Sequence, residues 1–455
     1  MAAKKKQENS ENNEASLDDL INDQFSDLTD LSKVEDDVKY YVDSGNYALN
    51  YMLSKDFRKG YPGGKISCLW GGTGTGKSML PIIATKSIDW DSGLDTFDKI
   101  ILVDSEGGGT GRKLIDFVGA DPAKVRYTKI STLDCYRIKK STGTKEELSD
   151  KDMPAPGKKL ETDDYIYVRG LISFIKDFAY AMKYKGITNE KVCIIVDSIS
   201  NIKSKRANVD GVADMGKTNQ LLNNLFAMDT ILSETNITVL LAAKKYTGIG
   251  QGGPFAPPPD VLQGGNAMEY NPSETVKLTA MNSDAELAKA DANASWEDEK
   301  LRRKGSLGNS LKIVRATMTK SRAGTELRNC WLLLDNTYGL VRNSGLFQML
   351  KDFDVIIQGS KARLFKAPGV FLNEDGTDLE FAKEDFVGIF SKTKKDERKY
   401  IELFQKKMEE KEELLKEQRM HINVSDASEL EENVDLTGDA ISELAELATS
   451  SEAEE

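Results

Sequence analysis

Short, unbroken apolar runs separated by helix-spaced apolar positions dominate the middle of the chain. The runs are KISCLW (65–70), KIILVD (99–104), KVCIIVD (191–197) and ITVLLAA (237–243). A strand covered on one face would alternate apolar with polar residues; continuous runs of this length fit parallel strands covered on both faces. Between the last two runs, Leu221, Leu222, Leu225, Phe226, Met228, Ile231 and Leu232 recur at helical spacing. Such strand–helix–strand alternation predicts an α/β fold with a doubly wound sheet.

The pattern changes towards both ends. Residues LKIVRATMTK (311–320) and ELRNCWLLLD (326–335), with Ala323-Gly324 between them, predict an antiparallel hairpin that extends the sheet. Residues 1–15 are polar and predict disorder. Residues 16–41 carry spaced apolar positions (Leu17, Leu20, Ile21, Phe25, Leu28, Leu31) and predict a short helical arm. The core runs from about Val42 to residue 345, with polar insertions at about 139–164 and 282–309 that predict mobile surface excursions. Residues 346–420 predict a small C-terminal lobe and, from about 396, a highly charged helix. The last stretch, 421–455, predicts a disordered acidic tail in which ISELAELA (441–448) is an amphipathic segment able to dock on a partner.

Charge and composition narrow the classes of function. The net charge is −12, but the segment from Asp426 to Glu455 holds eleven carboxylates and no Lys or Arg, which leaves −1 for the first 425 residues. The body can therefore carry local basic patches, and the acidity belongs to the tail. No apolar run approaches the roughly 18–20 residues of a membrane span, and the basic start MAAKKKQENSENNEAS lacks the apolar segment of a secretory signal. The four cysteines (Cys68, Cys135, Cys193, Cys330) are widely spaced, which argues against a zinc site or disulfide framework and predicts a reducing cytoplasm. His421 is the only histidine. It stands in the charged C-terminal region, which argues against a histidine-activated nucleophile and against a multi-histidine metal site.

The sharpest motif is Gly71-Gly72-Thr73-Gly74-Thr75-Gly76-Lys77-Ser78, a full G-x-x-x-x-G-K-[ST] between the strand KISCLW and the predicted helix MLPIIATKSI. Glycines let the backbone curl so that successive N–H groups face phosphates, with a helix N-terminus behind them. Lys77 would reach the β- and γ-phosphates of ATP, and the Ser78 hydroxyl would bind Mg²⁺. Asp197, at the carboxyl end of KVCIIVD, is where a Mg²⁺ water shell needs an anion. Glu106 follows IILVDS, and on spacing alone it fits either a base that orients the attacking water or a solvated glutamate capping the next helix. Lys203, Lys205 and Arg206 form a compact cationic loop after the Asp197 strand. Such a loop suits phosphate contacts to DNA without sequence readout, and equally suits a merely solvated surface. The Gly- and Pro-rich segment TGIGQGGPFAPPPDVLQGGNAMEY predicts a long mobile loop, of the kind that in compact domains is functional or disordered. Its Phe255 and Met268 fit either stacking on bases or packing.

Taken together these motifs resemble the RecA family: the glycine loop, Asp104-Ser105-Glu106, Asp197-Ser198, Gly264-Gly265-Asn266-Ala267 and Met318-Thr319-Lys320-Ser321-Arg322 stand in that order. Within it they look most like the UvsX-like recombinases of tailed phages, with the Lys-Ser-Arg spelling, Ser344-Gly345-Leu346 and an acidic tail. The resemblance covers roughly residues 42–360. It implies an α/β fold with a RecA-like P-loop ATPase core and mostly parallel twisted sheet, an N-terminal oligomerisation arm and a small C-terminal lobe. It implies a DNA-dependent ATPase with ATP and Mg²⁺ as cofactors, acting in a helical homo-oligomeric filament on single-stranded DNA that pairs with double-stranded DNA, in bacterial cytoplasm or a phage-infected cell. A single-strand-binding protein and a loader engaging the acidic tail would be further partners; no membrane is involved. Residue by residue it implies Gly71 to Ser78 on phosphate and Mg²⁺, Glu106 as the catalytic carboxylate and Asp197 beside the metal. Lys320 and Arg322 would act in trans on a neighbour's ATP. Residues 203–216 and 246–268 would be DNA-binding loops, the first including Lys203, Lys205 and Arg206, the second Gly264, Gly265 and Asn266. Two positions depart from the family pattern. Lys244 replaces a neutral hydrogen-bonding side chain, and no aromatic follows Glu106, leaving Arg112 as the stacking candidate for adenine. Two alternative readings stand beside the recombinase: a ring-forming helicase or motor on the same core, and a nucleotide-gated DNA-binding regulator without strand exchange.

Overall fold

The computed structural model describes residues 38–105, 115–155, 158–204, 215–247, 260–290, 311–322, 328–335 and 339–433. The chain opens with a short ladder, β1 (Tyr41–Val42) against β2 (Tyr61–Pro62), around helix α1 (Tyr47–Ser54). Strand β3 (Ile66–Gly71) runs through the glycine loop into α2 (Met79–Ile83), which a 3-10 turn ends at Lys86. Then come β4 (Lys99–Asp104), β5 (Val125–Lys129), β6 (Tyr136–Lys139), β7 (Lys145–Glu147), β8 (Tyr165–Val168), α3 (Leu171–Tyr184) and β9 (Val192–Asp197). Helices α4 (Met215–Phe226) and α5 (Asp229–Glu234) lead to β10 (Ile237–Thr247), β11 (Asp260–Leu262), α6 (Gly265–Tyr270) and β12 (Glu274–Met281). After α7 (Asp284–Ala290) the order is β13 (Leu311–Ser321), β14 (Asn329–Asp335), β15 (Gly339–Leu340), α8 (Leu346–Asp352), β16 (Ile357–Gln358), β17 (Leu364–Lys366) and β18 (Glu380–Ala382). Helices α9 (Phe386–Phe390) and α10 (Lys394–Asn433) complete the described chain.

One large sheet organises these elements in the order β15-β14-β13-β12-β3-β10-β9-β4-β5, with β11 paired to β10. From β12 to β5 every neighbouring pair is parallel. The β13–β14 hairpin continues the sheet antiparallel, as the apolar pattern of 311–335 predicts. The result is a mixed α/β protein with a mostly parallel central sheet. Both faces of that sheet are buried, which explains the unbroken apolar runs. Leu69, Leu102, Ile195 and Leu240 face a core shared with α1, α2 and the C-terminal helices. Cys68, Val103, Ile194 and Leu241, one residue along in each strand, face α3, α4, α5 and α6.

The C-terminal segment packs on the first of these faces. Phe371, Phe386 and Phe404 meet at ring-centroid distances of 5.7 to 6.3 Å, in the same apolar cluster as Tyr47, Tyr51 and Phe57. Polar ties reinforce the contact. Gln405 accepts from Phe57 N (3.0 Å) and donates to Lys55 O (3.0 Å), while Glu412 takes the Tyr51 hydroxyl (2.8 Å) and pairs with Arg328 (2.9 Å).

Several boundaries differ from the sequence-based expectation. The core starts before Val42: Tyr40 is buried and its hydroxyl bonds Thr238 Oγ1 at 2.8 Å. The stretch 139–164 is not a structureless excursion, because β6, β7 and β8 form a three-stranded antiparallel sheet around it. Arg137 explains part of this, pairing with Glu146 (2.7 Å) and stacking on the Tyr165 ring (4.3 Å). Of the second insertion, 284–290 is helical and residues 291–309 lie outside the described residues. Helix α10 extends to Asn433 rather than ending near 420; pairs such as Arg398–Glu402 (3.4 Å) support its exposed side. Residues 1–37 and 434–455, with most of the arm and tail, lie outside the described residues. Among the described residues no helix is long and apolar enough to cross a membrane.

One buried acid stands out. Glu274 opens β12 fully enclosed, 4% exposed, with Oε2 unpartnered, and burial pushes its carboxyl well above the ordinary carboxylate value. The folded protein therefore holds this proton to higher pH than the unfolded chain, whose carboxyl titrates near 4.5. Its contribution to stability is complete below that value and is lost as pH rises towards the raised folded value. Glu274→Gln carries no such proton. In urea unfolding at pH 5.5, 7 and 8, the stability of this variant relative to wild type should increase with pH; a pH-independent difference would show that the acid does not titrate as its burial requires.

Candidate functional site

The carboxyl ends of the parallel strands converge, as expected where ligands bind in open α/β sheets. Gly71 lies opposite Lys244 of β10, and Ala242, two residues earlier, lies between Leu69 and Asp197. Asp104 is level with Asp197 on the next strand. From Gly71 the chain arches over these ends and returns at Ser78, whose hydroxyl donates to Asp197 Oδ1 at 3.0 Å, across 119 residues of sequence. The Asp197–Ser198 peptide bond is cis. The Ser105 hydroxyl donates to Ser198 O (2.6 Å) and accepts from Ser198 N (2.9 Å), so β4 and β9 leave the sheet side by side.

The loop is a close-fitting curl. Thr75 Oγ1 and Lys77 Nζ both donate to Gly72 O, at 2.9 and 3.3 Å. Gly74 and Gly76 have φ of 74° and 86°, in the left-handed region that disfavours any side chain. They also lack room: a Cβ on Gly76 would lie 2.4 Å from Leu334 Cδ1, and one on Gly74 would lie 2.8 Å from Lys312 Nζ. Helix α2 behind the loop is only five residues long, shorter than the sequence predicted. The chemistry of the loop is therefore carried by its backbone, Lys77 and the Ser78–Asp197 pair. A hydroxyl and a carboxylate at hydrogen-bond distance beside a glycine curl fit a hydrated divalent cation accompanying an anionic ligand.

Other cations surround this mouth. Lys244 Nζ donates to Asn201 Oδ1 (3.1 Å), and its backbone N–H donates to Ser200 Oγ (2.7 Å). Lys245 and Lys277 both pair with Asp260, at 2.7 and 3.2 Å. The Lys245 ammonium, ahead of Lys277, holds the Asp260 carboxyl below its usual range. Asp260 thus anchors the return of the chain from segment 248–259 beside the glycine loop.

The remaining predicted residues fall in three places. Glu106, Arg112, Lys205, Arg206 and Phe255 lie outside the described residues. Lys203 is exposed and pairs through its backbone with Thr132. Gly264, Gly265 and Asn266 were expected in a loop but begin helix α6, with Gly264 at φ 116° and Met268 buried against it. The Met268 side chain therefore packs and does not offer itself to bases; Asn266 is exposed. Lys320 and Arg322 lie at the opposite end of the sheet from the glycine loop. Ser321 registers with Glu274, and Glu274 with Ser67 at the start of β3. Lys320 Nζ donates to Pro272 O (2.7 Å), and Arg322 pairs with Asp229 (2.7 Å).

Sequence reasoning missed Asp260, Lys245, Lys277 and Lys312. The only signal for Lys312 was a cation inside the apolar strand pattern L-K-I-V. No family model matches the chain, and no curated protein matches it.

The fit of the loop to its surroundings is testable. Left-handed φ alone costs a side chain roughly 1–2 kcal/mol, and Gly143, at φ 69° with open space around it, isolates that cost. Gly76→Ala should lose more stability than Gly143→Ala in chemical denaturation, the excess measuring the encounter with Leu334. Equal losses would mean that the β14 side chain yields freely.

Proposed function

We propose that this protein is an ATP-hydrolysing recombinase of the RecA-like kind, assembling head to tail on single-stranded DNA. The observation that carries the ATPase half is the Ser78–Asp197 hydrogen bond of 3.0 Å at the mouth of the G-x-x-x-x-G-K-S curl. Two residues with the chemistry of a metal site, remote in sequence, meet where a triphosphate would lie. The recombinase half rests on the ordered block of motifs and is supported by the position of Lys320 and Arg322. From Ser67 to Gly71 the sheet spans about 13 Å at ~3.3 Å per residue, so these two cations cannot serve their own glycine loop. In a head-to-tail array the same end of the sheet can face the next subunit's loop, and a heterologous contact of that kind grows into a helix unless its rotation closes.

In this reading Lys77 leaves Gly72 O for the β- and γ-phosphates, and the backbone N–H groups of the curl hold the phosphate chain. Ser78 and Asp197 would hold Mg²⁺. Bound there, Mg²⁺ would neutralise charge on the β- and γ-phosphates. Glu106 is the next residue in sequence after Ser105, whose hydroxyl is fixed to Ser198; its carboxylate would orient the attacking water. Lys320 and Arg322 of one subunit would stabilise charge on the neighbour's transferring phosphoryl group.

ATP turnover should be abolished in Lys77→Ala. Glu106→Gln should bind ATP and trap long-lived DNA complexes, while Lys320→Ala should keep nucleotide binding and lose DNA-stimulated turnover. Mixing the last two should restore part of the activity, because at some interfaces a Glu106-bearing site meets an intact Lys320. A mixture no more active than its parts, with mixed filaments present, would remove the trans assignment.

Strand exchange is tested separately by joint-molecule formation between single-stranded DNA and homologous duplex in the presence of ATP. Homology-dependent joints are expected. ATP turnover without joints would leave a motor or a nucleotide-gated binder, and electron microscopy would distinguish rings from filaments.

A further inference from the structure

We infer that Lys312 is a second phosphate-binding cation of the glycine-loop site, acting from the same subunit on the side of the loop away from Asp197. The inference rests on the reading of the loop as a nucleotide site and deepens it.

Strand β13 brings Lys312 to the loop. Lys312 is directly opposite Leu334 on β14, and directly opposed residues share a sheet face. Leu334 lies against Gly76 and Lys312 Nζ against Gly74. The two strands therefore support the two left-handed glycines with one apolar and one cationic side chain. Two residues along β13 on the same face, Val314 is fully buried in the core. An ammonium at the rim of such a face is a poor packing choice, and partial burial without a counter-charge is costly.

The neighbouring cations do not offer the same thing. Lys245 and Lys277 are held by Asp260, and Lys244 donates to Asn201. Among the described residues no carboxylate pairs with Lys312. Its counter-charge is then supplied by a ligand, and the backbone curl it touches is built for an anion.

Position decides which part of the ligand. The sheet order runs β13-β12-β3-β10-β9, so Lys312 and Asp197 flank the loop from opposite sides. Ser78 and Asp197 mark the metal and γ-phosphate side. Lys312 is on the other, where the α-phosphate joins the nucleoside. A contact there is common to ATP and ADP, whereas a γ-phosphate contact favours ATP alone.

The test uses the full chain and two probes, a fluorescent methylanthraniloyl-ADP and ATP as its competitor, both with Mg²⁺. Lys312→Gln should weaken both nucleotides by the same factor, on the order of tenfold, as for loss of one charge-assisted contact. Lys312→Arg, which keeps the charge, should recover most of that loss. Thermal unfolding of each variant without nucleotide verifies that it is folded. If Lys312→Gln binds both nucleotides as wild type does, while Lys77→Ala fails to bind, Lys312 is not a ligand cation although the loop is a nucleotide site. If only ATP binding falls, the cation serves the γ-phosphate and the placement is wrong. If Lys77→Ala also binds normally, the nucleotide reading itself is overturned.

Discussion

The register across β10 is the constraint on which the candidate site depends. This strand separates β3, which feeds the glycine loop, from β9, which ends in Asp197. Its Ala242 lies opposite both Leu69 and Asp197. Because side chains alternate along a strand, Leu69, Ala242, Ile195 and Asp197 all belong to the face on which α2 packs. Ser78 therefore descends from the loop onto a carboxylate already turned towards it. A slip of one residue in either pairing would turn Asp197 to the other face of the sheet. The intervening position, Ala242, carries only a methyl group and is fully buried.

Under the proposed function, the same sheet separates two poles. At one pole lie the glycine loop, Asp197, Lys244 and the Asp260 cluster. At the other lie Lys320, Arg322, Lys65 and Asp229, with Arg322 and Lys65 both near Asp229 at 2.7 and 3.7 Å. A hairpin strand that crosses the whole sheet, β13, carries Lys312 at the first pole and Lys320 at the second. In the proposed filament one strand would serve its own loop at one end and a neighbour's at the other. Exposed pairs such as Arg322–Asp229 contribute little to stability, so engaging another subunit's anion would sacrifice little of the fold.

The sheet was legible in the sequence because burial on both faces leaves unbroken apolar runs, a signal that survives without neighbours. The curl of the glycine loop and the place of Asp197 at a strand's carboxyl end were legible because backbone curvature demands glycine and a buried apolar run shows where its strand stops. What escaped depended on long-range packing. The three-stranded sheet around 139–164 hides behind charge and turn residues, since its stabilising contacts, such as Arg137 on Tyr165, pair residues 28 positions apart. Gly264 and Gly265 read as loop punctuation, yet they cap a short helix because their left-handed conformations let the chain turn close to Met268 and Asn219. Nothing in the sequence marks Glu274 as buried; only the closed sheet end deprives it of water.

Charge placement around the loop follows a division of labour that sequence order obscures. Lys77 and Lys312 approach the curl from within and from beneath, while Lys245 and Lys277 are neutralised by Asp260 at the root of segment 248–259. Without Asp260, the repulsion between Lys245 and Lys277 would act beside a loop already held in left-handed conformations. Asp260 relieves that repulsion from its place on β11, which pairs with β10. The relief acts close to the loop, because the Lys245 Cε lies 3.4 Å from a Cβ built on Gly72.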